Sequence, residues 1–492
     1  MLSIRKNLYK NYLIKKHNIK YFASGKVKKI DPNLKEFDFV AVGGIVSGSV
    51  IKYLQHIDFK GTMAGFNPNL SFYNQQHYEY IISGHMKGFK YSANSFGDTF
   101  DSDISAYYSS RIVDIKPEKN ELIDNNGATY KYKSLLLDVG LDQKPQNMPF
   151  LKKFINDNSY AESRVFVHAP SDQFQIERNR RIFQMHKDND FIVYLPEFPS
   201  RREAYDAWYL SLDHYFNYGI QSGTFTRNMK VRIITPNKVL FRYPFANEII
   251  MEECSQRTTI ETHFGYKLKD IEIVNKSYNS IARYATFVCT DTGKEMRLQF
   301  GSILVTPQNE KRELFKNNDI ANENGEVTVN PYTLQHTKYS NIFAIGDATN
   351  VNTTKSLYAT LNQSTVVRNS ISDYLNGNEF KAIYKGYSAF FVNHTIDRQW
   401  VFSHYYNWNP ALLNFYVPRV FGLFMYCLRP SFEKQYFQKL FQKKGNFSYP
   451  FVMKNKYFRP LDENKYLQKN NIKKEDILIH QSSYEPPMLS HN

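Results

Sequence analysis

Cysteine is scarce in this chain: 492 residues hold three, Cys254, Cys289 and Cys427. They lie far apart and none belongs to a CxxC, which excludes a disulfide framework and leaves each to be read as a small buried hydrophobe. No uninterrupted apolar run reaches the roughly 18 residues that a membrane-crossing helix needs. HExxH, a Cys/His cluster with metal-ligand spacing, the G-x-x-x-x-G-K-[ST] phosphate loop and the G-x-S-x-G elbow are all missing. His77 and His85 fall on an apparent helix and read as surface or satisfied core histidines, so no metal site is expected. Acidic residues are absent before Asp31, while nine Lys or Arg occupy the same stretch. That is the pattern of a mitochondrial presequence; an ordered basic arm is the other reading.

The net charge of the whole chain is +16, which suits nucleic acid, an anionic lipid surface or an acidic protein partner. The basic stretches do not interleave with aromatics in the manner of a nucleic-acid module, so no nucleic-acid partner is expected. Tyrosine (37) and phenylalanine (38) are abundant. AT-rich coding explains this, and so does an aromatic surface for partners or a membrane interface.

What is present points to an α/β architecture. FDFVAV (37–42) is an apolar run closing on glycines, the pattern of a buried parallel strand. SGSVIKYLQHI after it has helical apolar spacing, and GTMAGFN (61–67) reads as a second strand. The junction is VAVGGIVSGSV (40–50). A dinucleotide-binding turn reads G-x-G-x-x-G, and here the three positions are Gly43, Ile45 and Gly48. KSLLLDVG (133–140), DFIVYLP (190–196), KVRIITP (230–236), GSILVTP (301–307) and SNIFAIGD (340–347) read as further strands. AYDAWYLSLDHYFNYG (204–219) reads as a helix capped by Gly219, which makes 190–236 a second βαβ unit. TTKSLYATLNQSTVVRNSISDYLNG is a long amphipathic helix ending at Gly377.

The most specific stretch is NIFAIGDATNVNTTKS (341–356). A strand ending in Gly346-Asp347 and running into a helix is how two-dinucleotide-domain flavoproteins hold FAD. The aspartate accepts a hydrogen bond from a ribityl hydroxyl, and the helix amides face the flavin or pyrophosphate. The surrounding VTVNPYTLQHTKYSNIFAIGDATNVNTTKS carries TLQH and GD-x-TN-x-x-T-x-K in order. With YKGYS (384–388), SFYNQ (71–75), LPEFP (195–199) and WYLS…YF (208–216), the chain resembles the sulfide:quinone oxidoreductases, specifically their mitochondrial branch, over roughly residues 36 to 440. The resemblance implies FAD, a monotopic seat on the inner mitochondrial membrane, and sulfide oxidation through a cysteine pair with electrons passing by way of the flavin to ubiquinone.

This chain departs from that pattern at its chemistry. Ile45 stands where the family has glycine, which lets backbone approach the pyrophosphate. The glutamate that would bond the ribose aligns with Phe66, and Asn67 beside it is a weak substitute. One redox cysteine falls within Ser200–Arg202, the other at Phe390 or a neighbour, and a further one at Ala348; none is cysteine. Arg, Ser and Phe cannot supply the thiolate. Gly43, Gly48, Gly346, Asp347, Thr349, Asn350 and Lys355 keep their places, although glycines also serve strand–helix turns and Asp347 could cap the next helix. Leu357, Tyr358 and Leu361 replace small alanines of the family and are expected to fill the vacated space.

The fold class expected is α/β, two Rossmann-like dinucleotide-binding-type domains with the first discontinuous, plus a membrane-facing C-terminal region. Residues 1–33 form a basic arm, 34–150 and 301–380 the two parts of the FAD-type domain, and 151–300 the second domain. An amphipathic region for membrane or partner occupies 381–445, where SFEKQYFQKLFQKKG (431–445) is basic and aromatic at helical spacing; 446–492 is an extended tail. The expectation for function is a catalytically degenerate relative kept as an accessory subunit of a mitochondrial inner-membrane respiratory complex, peripheral and on the matrix side or complex-associated. Its partners would be other subunits and the anionic membrane surface. No catalytic residue is assigned. No cofactor is expected, or FAD if any, through Gly43, Gly48 and Asp347, with Ile45 and Phe66 arguing against it. An active FAD-dependent quinone reductase is the alternative, and a basic nucleic-acid binder a third.

Overall fold

The computed structural model describes residues 35–57, 59–69, 71–73, 93–95, 105–140, 142–143, 148–155, 163–168, 176, 178–180, 190–197, 230–241, 243–277, 280–307, 309–310, 312–315, 318–395, 398–406 and 415–417. The basic arm, the helix expected at 204–219, Ser200–Arg202, His77, His85, Cys427 and the amphipathic segment 431–445 lie outside the described residues.

The first domain begins with β1 (Glu36–Gly43), α1 (Ile45–His56) and β2 (Met63–Phe66). Phe37 and Phe39 to Val42 are buried, as a strand covered on both faces requires. The polar interruption, Asp38, accepts from the Thr62 amide at 2.7 Å and pairs with Lys133 at 2.6 Å at the far end of the strand. β3 (Ser105–Tyr108), β4 (Ile112–Lys116), β5 (Glu121–Asp124) and β6 (Thr129–Asp138) follow. The sheet order is β3-β2-β1-β6-β5-β4. β1 runs parallel to β2 and β6 with Val42 opposite Phe66 and Leu137, so the C-terminal ends of these strands meet at one edge of the sheet.

The chain then passes through α2 (Pro149–Ile155), β7 (Val165–Val167), β8 (Phe191–Tyr194), β9 (Val231–Thr235), α3 (Pro244–Ser255) and β10 (Ile260–Phe264). The strands expected at 190–196 and 230–236 pair in parallel; the helix expected between them lies outside the described residues. An antiparallel meander of β11 (Tyr266–Ser277), β12 (Ser280–Cys289) and β13 (Glu295–Gln299) is inserted next. The sequence patterns above do not point to it, although DIEI (270–273) within β11 alternates polar and apolar with period two. β14 (Ser302–Val305) returns to the second sheet, completing five parallel strands in the order β7-β14-β8-β9-β10.

β15 (Ile342–Ala344) goes back to the first sheet, pairing Ile342 with Leu135 of β6; this is the return that makes the first domain discontinuous. α4 (Leu357–Leu375) then packs on that sheet beside α1. It starts later than its sequence pattern suggested. The Ser356 hydroxyl caps it by accepting from the Ala359 amide at 3.1 Å. Gly377, at φ +70°, ends it in the left-handed conformation that glycine tolerates best. β16 (Ser388–Thr395), β17 (Arg398–His404) and β18 (Phe415–Val417) form an antiparallel sheet. Among the described residues two hydrophobic cores result, one per domain, and Phe390 and Phe402 of β16 and β17 belong to the core of the second. Among the described residues no helix is long and apolar enough to cross a membrane.

Candidate functional site

Ligands of open parallel sheets bind outside the carboxyl ends of the strands. Here those ends bring together the Gly43-Gly44 turn, Asn67 after β2, Asp138 closing β6, and the Gly346–Ala348 turn after β15. The amides of the first turn of α1 point into this edge without intrahelical partners. Gly44 precedes the helix and offers no side-chain cap.

The cap comes from β6. Asp138 Oδ2 accepts from the Ser47 amide at 2.8 Å, and the Val46 amide also bonds the carboxyl. The Asp138 carbonyl accepts from the Gly44 amide at 2.5 Å. The residue is buried. Burial pushes its carboxyl up to about 7, the Ser47 and Val46 amides pull it back down, and the neighbouring Asp347 pushes it up again. No role for Asp138 was read from the sequence. The signal was an aspartate closing LLL at the end of a strand adjoining β1.

Gly43 has φ +116°, and a Cβ there would lie 2.3 Å from the Asp138 carbonyl oxygen. Gly48 is buried within α1. Ile45 is the first residue of that helix. Phe66 does not face the turn. Its ring stacks on Tyr108 at 4.8 Å and meets Tyr130 edge-on at 4.8 Å, inside the core. Asn67 is the residue at the strand tip, and its Nδ2 donates to the Gly43 carbonyl at 2.6 Å. Its Oδ1 accepts from the Asn69 amide at 2.8 Å. The amide that could have met a ribose hydroxyl is thus committed to the turn.

At the second turn Gly346, φ +64°, donates its amide to Gln363 Oε1 at 2.7 Å. Asp347 is half-buried in that turn and does not cap α4, which Ser356 does. Lys355 is buried and gives its ammonium to the Thr349 carbonyl at 3.1 Å and the Thr349 hydroxyl at 3.0 Å. Tyr358 and Leu361 are buried in the first core, with Leu357 packed partly against it. Of the positions aligned with redox cysteines, Ala348 is buried, and Phe390 stacks on Phe241 at 6.0 Å and lies tilted against Phe402 at 5.4 Å.

Behind this edge lies a buried polar chain. His404 Nδ1 faces the Tyr405 carbonyl at 2.9 Å, so it carries the proton, and Nε2 accepts from the Thr354 hydroxyl at 3.0 Å. The Ser388 hydroxyl donates to the Thr354 carbonyl at 3.0 Å and accepts from Ser356 at 3.0 Å. Burial holds the His404 imidazole down at about 4, against the Tyr405 bond.

These two buried groups give opposed pH dependences. The folded-state value of His404 lies below its ordinary 6.5, so its contribution is full above pH 6.5 and is lost as pH falls through about 4. The folded-state value of Asp138 lies above its ordinary 3.8, so its contribution is full below that and is lost as pH rises through about 7. Thermal melts of Asp138→Asn should therefore lose stability on acidification from pH 6.5 more steeply than wild type. Parallel curves would show that Asp138 does not titrate in this window.

FAD, the cofactor implied for this fold, needs an open anion seat at the start of α1 and an acceptor at the tip of β2. A carboxylate fills the first and Asn67 is turned away from the second. The residues present do not fit the dinucleotide.

No protein-family model matches the chain. It is 20% identical over 280 residues to the mitochondrial sulfide:quinone oxidoreductase of Schizosaccharomyces pombe, an alignment covering 56% of this chain and 58% of that protein. The chain thus spans less than two thirds of that relative's length. Among solved structures, a chain of the Tetrahymena thermophila mitochondrial ATP synthase superposes with TM-score 0.72 at 20% identity, covering 86% of this chain and all (100%) of that one. The sulfide:quinone oxidoreductase of the hyperthermophilic bacterium Aquifex aeolicus superposes with TM-score 0.66 at 13% identity, covering 84% and 93%. In sequence the chain resembles the mitochondrial sulfide:quinone oxidoreductases, and its fold is that of the two-dinucleotide-domain flavoproteins.

Proposed function

We propose that this chain is a non-catalytic relative of the sulfide:quinone oxidoreductases, built into a mitochondrial membrane complex of the ATP synthase type as an accessory subunit. The observation that carries the reading is the Asp138 carboxyl on the Ser47 amide at 2.8 Å, in the place where a dinucleotide would set its phosphates. The likeness to the Tetrahymena ATP synthase chain supports the assembly, since it extends over the whole of that chain. The basic, acid-free first 30 residues and the mitochondrial relatives support the compartment. The fold is retained as a rigid body with surfaces for neighbours.

Mild detergent extraction and native gel electrophoresis test this. The chain should migrate with a large complex that hydrolyses ATP, and the purified chain should be colourless and inert toward sulfide and quinone. A free protein with flavin absorbance and sulfide-dependent quinone reduction would overturn the proposal and favour the enzyme reading, which the preserved Gly346-Asp347 turn otherwise keeps in play.

A further inference from the structure

We infer that Asp138 is the chain's own stopper: its tethered carboxyl group occupies the seat for a phosphate or diphosphate at the start of α1, and its removal reopens that seat. The inference rests on the reading of the chain as a flavin-free relative and assigns its cause to one side chain.

The seat is defined by the acceptor that already sits in it. Oδ2 lies 2.8 Å from the Ser47 amide, with the Val46 amide bonded as well, and the residue is only 8% exposed. The turn is shaped around this residue. A Cβ on Gly43 would lie 2.3 Å from the Asp138 carbonyl, and one on Gly44 would lie 2.9 Å from both that carbonyl and Oδ2. Both glycines are therefore accounted for by the approach of β6, without a ligand. Asp347 stands close enough to act on the same carboxyl, so an incoming phosphate would meet two acidic groups where a binding site needs donors. Tethering adds to this. An intramolecular group competes at an effective concentration on the order of millimolar or more, which free phosphate esters must exceed merely to share the seat. The side chain fills the space in either protonation state.

The test uses the full chain at pH 8 with inorganic phosphate and pyrophosphate as probes, followed by calorimetry. Asp138→Ala frees the Val46 and Ser47 amides and should bind pyrophosphate at least tenfold tighter than wild type. Asp138→Asn removes the charge but keeps a side chain with an acceptor in the seat, and should gain far less than Ala. An Ala variant that melts cooperatively yet binds no tighter overturns the inference, as does an Asn variant that gains as much as Ala. Should the Ala variant not fold, wild type with isotope-labelled valine and serine decides. The Val46 and Ser47 amide resonances should follow the Asp138 titration and ignore pyrophosphate; the reverse overturns the proposal. Flavin in native wild-type material would refute the parent reading. A folded but non-binding Ala variant of colourless protein would refute only this assignment.

Discussion

Phe66→Glu should unfold the first domain rather than restore a ribose-binding acid. Sequence alignment sets this position against the glutamate of the resemblance, which makes the substitution look like a repair. The structure makes it a core mutation. Phe66 is 2% exposed, stacked on Tyr108 and edge-on to Tyr130. Deleting a buried phenyl ring costs about 3–5 kcal/mol, and an unpaired carboxylate in its place adds a desolvation cost of several more. The sum approaches the roughly 5–15 kcal/mol that holds a typical domain together. Asn67→Glu is the informative partner. It loses the bond to the Gly43 carbonyl, worth about 1–3 kcal/mol where an acceptor is left unsatisfied, but at the strand tip its carboxylate can still accept from the Asn69 amide, whereas a carboxylate at Phe66 meets only rings. Soluble yield and melting temperature should therefore separate the two by a wide margin. A Phe66→Glu protein with a native melting curve would show that the ring does not pack as described.

The same contrast shows what the sequence could and could not carry. Strands such as FDFVAV and GSILVTP were legible because burial on both faces leaves an unbroken apolar run, and no partner need be known to see it. The turn at Gly43 was legible as a glycine requirement. The start of α4 was not, because Thr353, Thr354 and Ser356 are each possible N-caps and only the fold selects Ser356, with Thr354 spent on His404, Lys355 on Thr349 and Ser356 on the Ala359 amide. In sequence Asn67 is a weak candidate for a ribose partner, but its commitment to Gly43 depends on a strand tip and a turn 24 residues apart meeting in space. Asp138 is the extreme case. Its partner amide is 91 residues away in sequence, and a local pattern cannot distinguish an aspartate that ends a strand from one that stoppers a neighbouring helix.

Gly43→Ala should cost about 3–5 kcal/mol in a protein that holds no nucleotide, combining left-side backbone strain with overpacking against main chain. The two terms are independent. At φ +116° an L side chain is strained wherever it stands, and the added Cβ would also sit 2.3 Å from the Asp138 carbonyl oxygen and 2.7 Å from the Val139 amide nitrogen. Neither neighbour is the flexible end of a side chain, so relief requires β1 and β6 to part where Gly43 pairs with Asp138. A glycine kept for a cofactor's phosphates would behave otherwise. Its substitution would abolish binding and leave the apo fold near its original stability, because the clash would be with the absent ligand. Chemical denaturation of the colourless wild type and variant separates the cases: a large fall in the midpoint locates the requirement in the chain itself, and an unchanged midpoint would return the glycine to a vacated binding role.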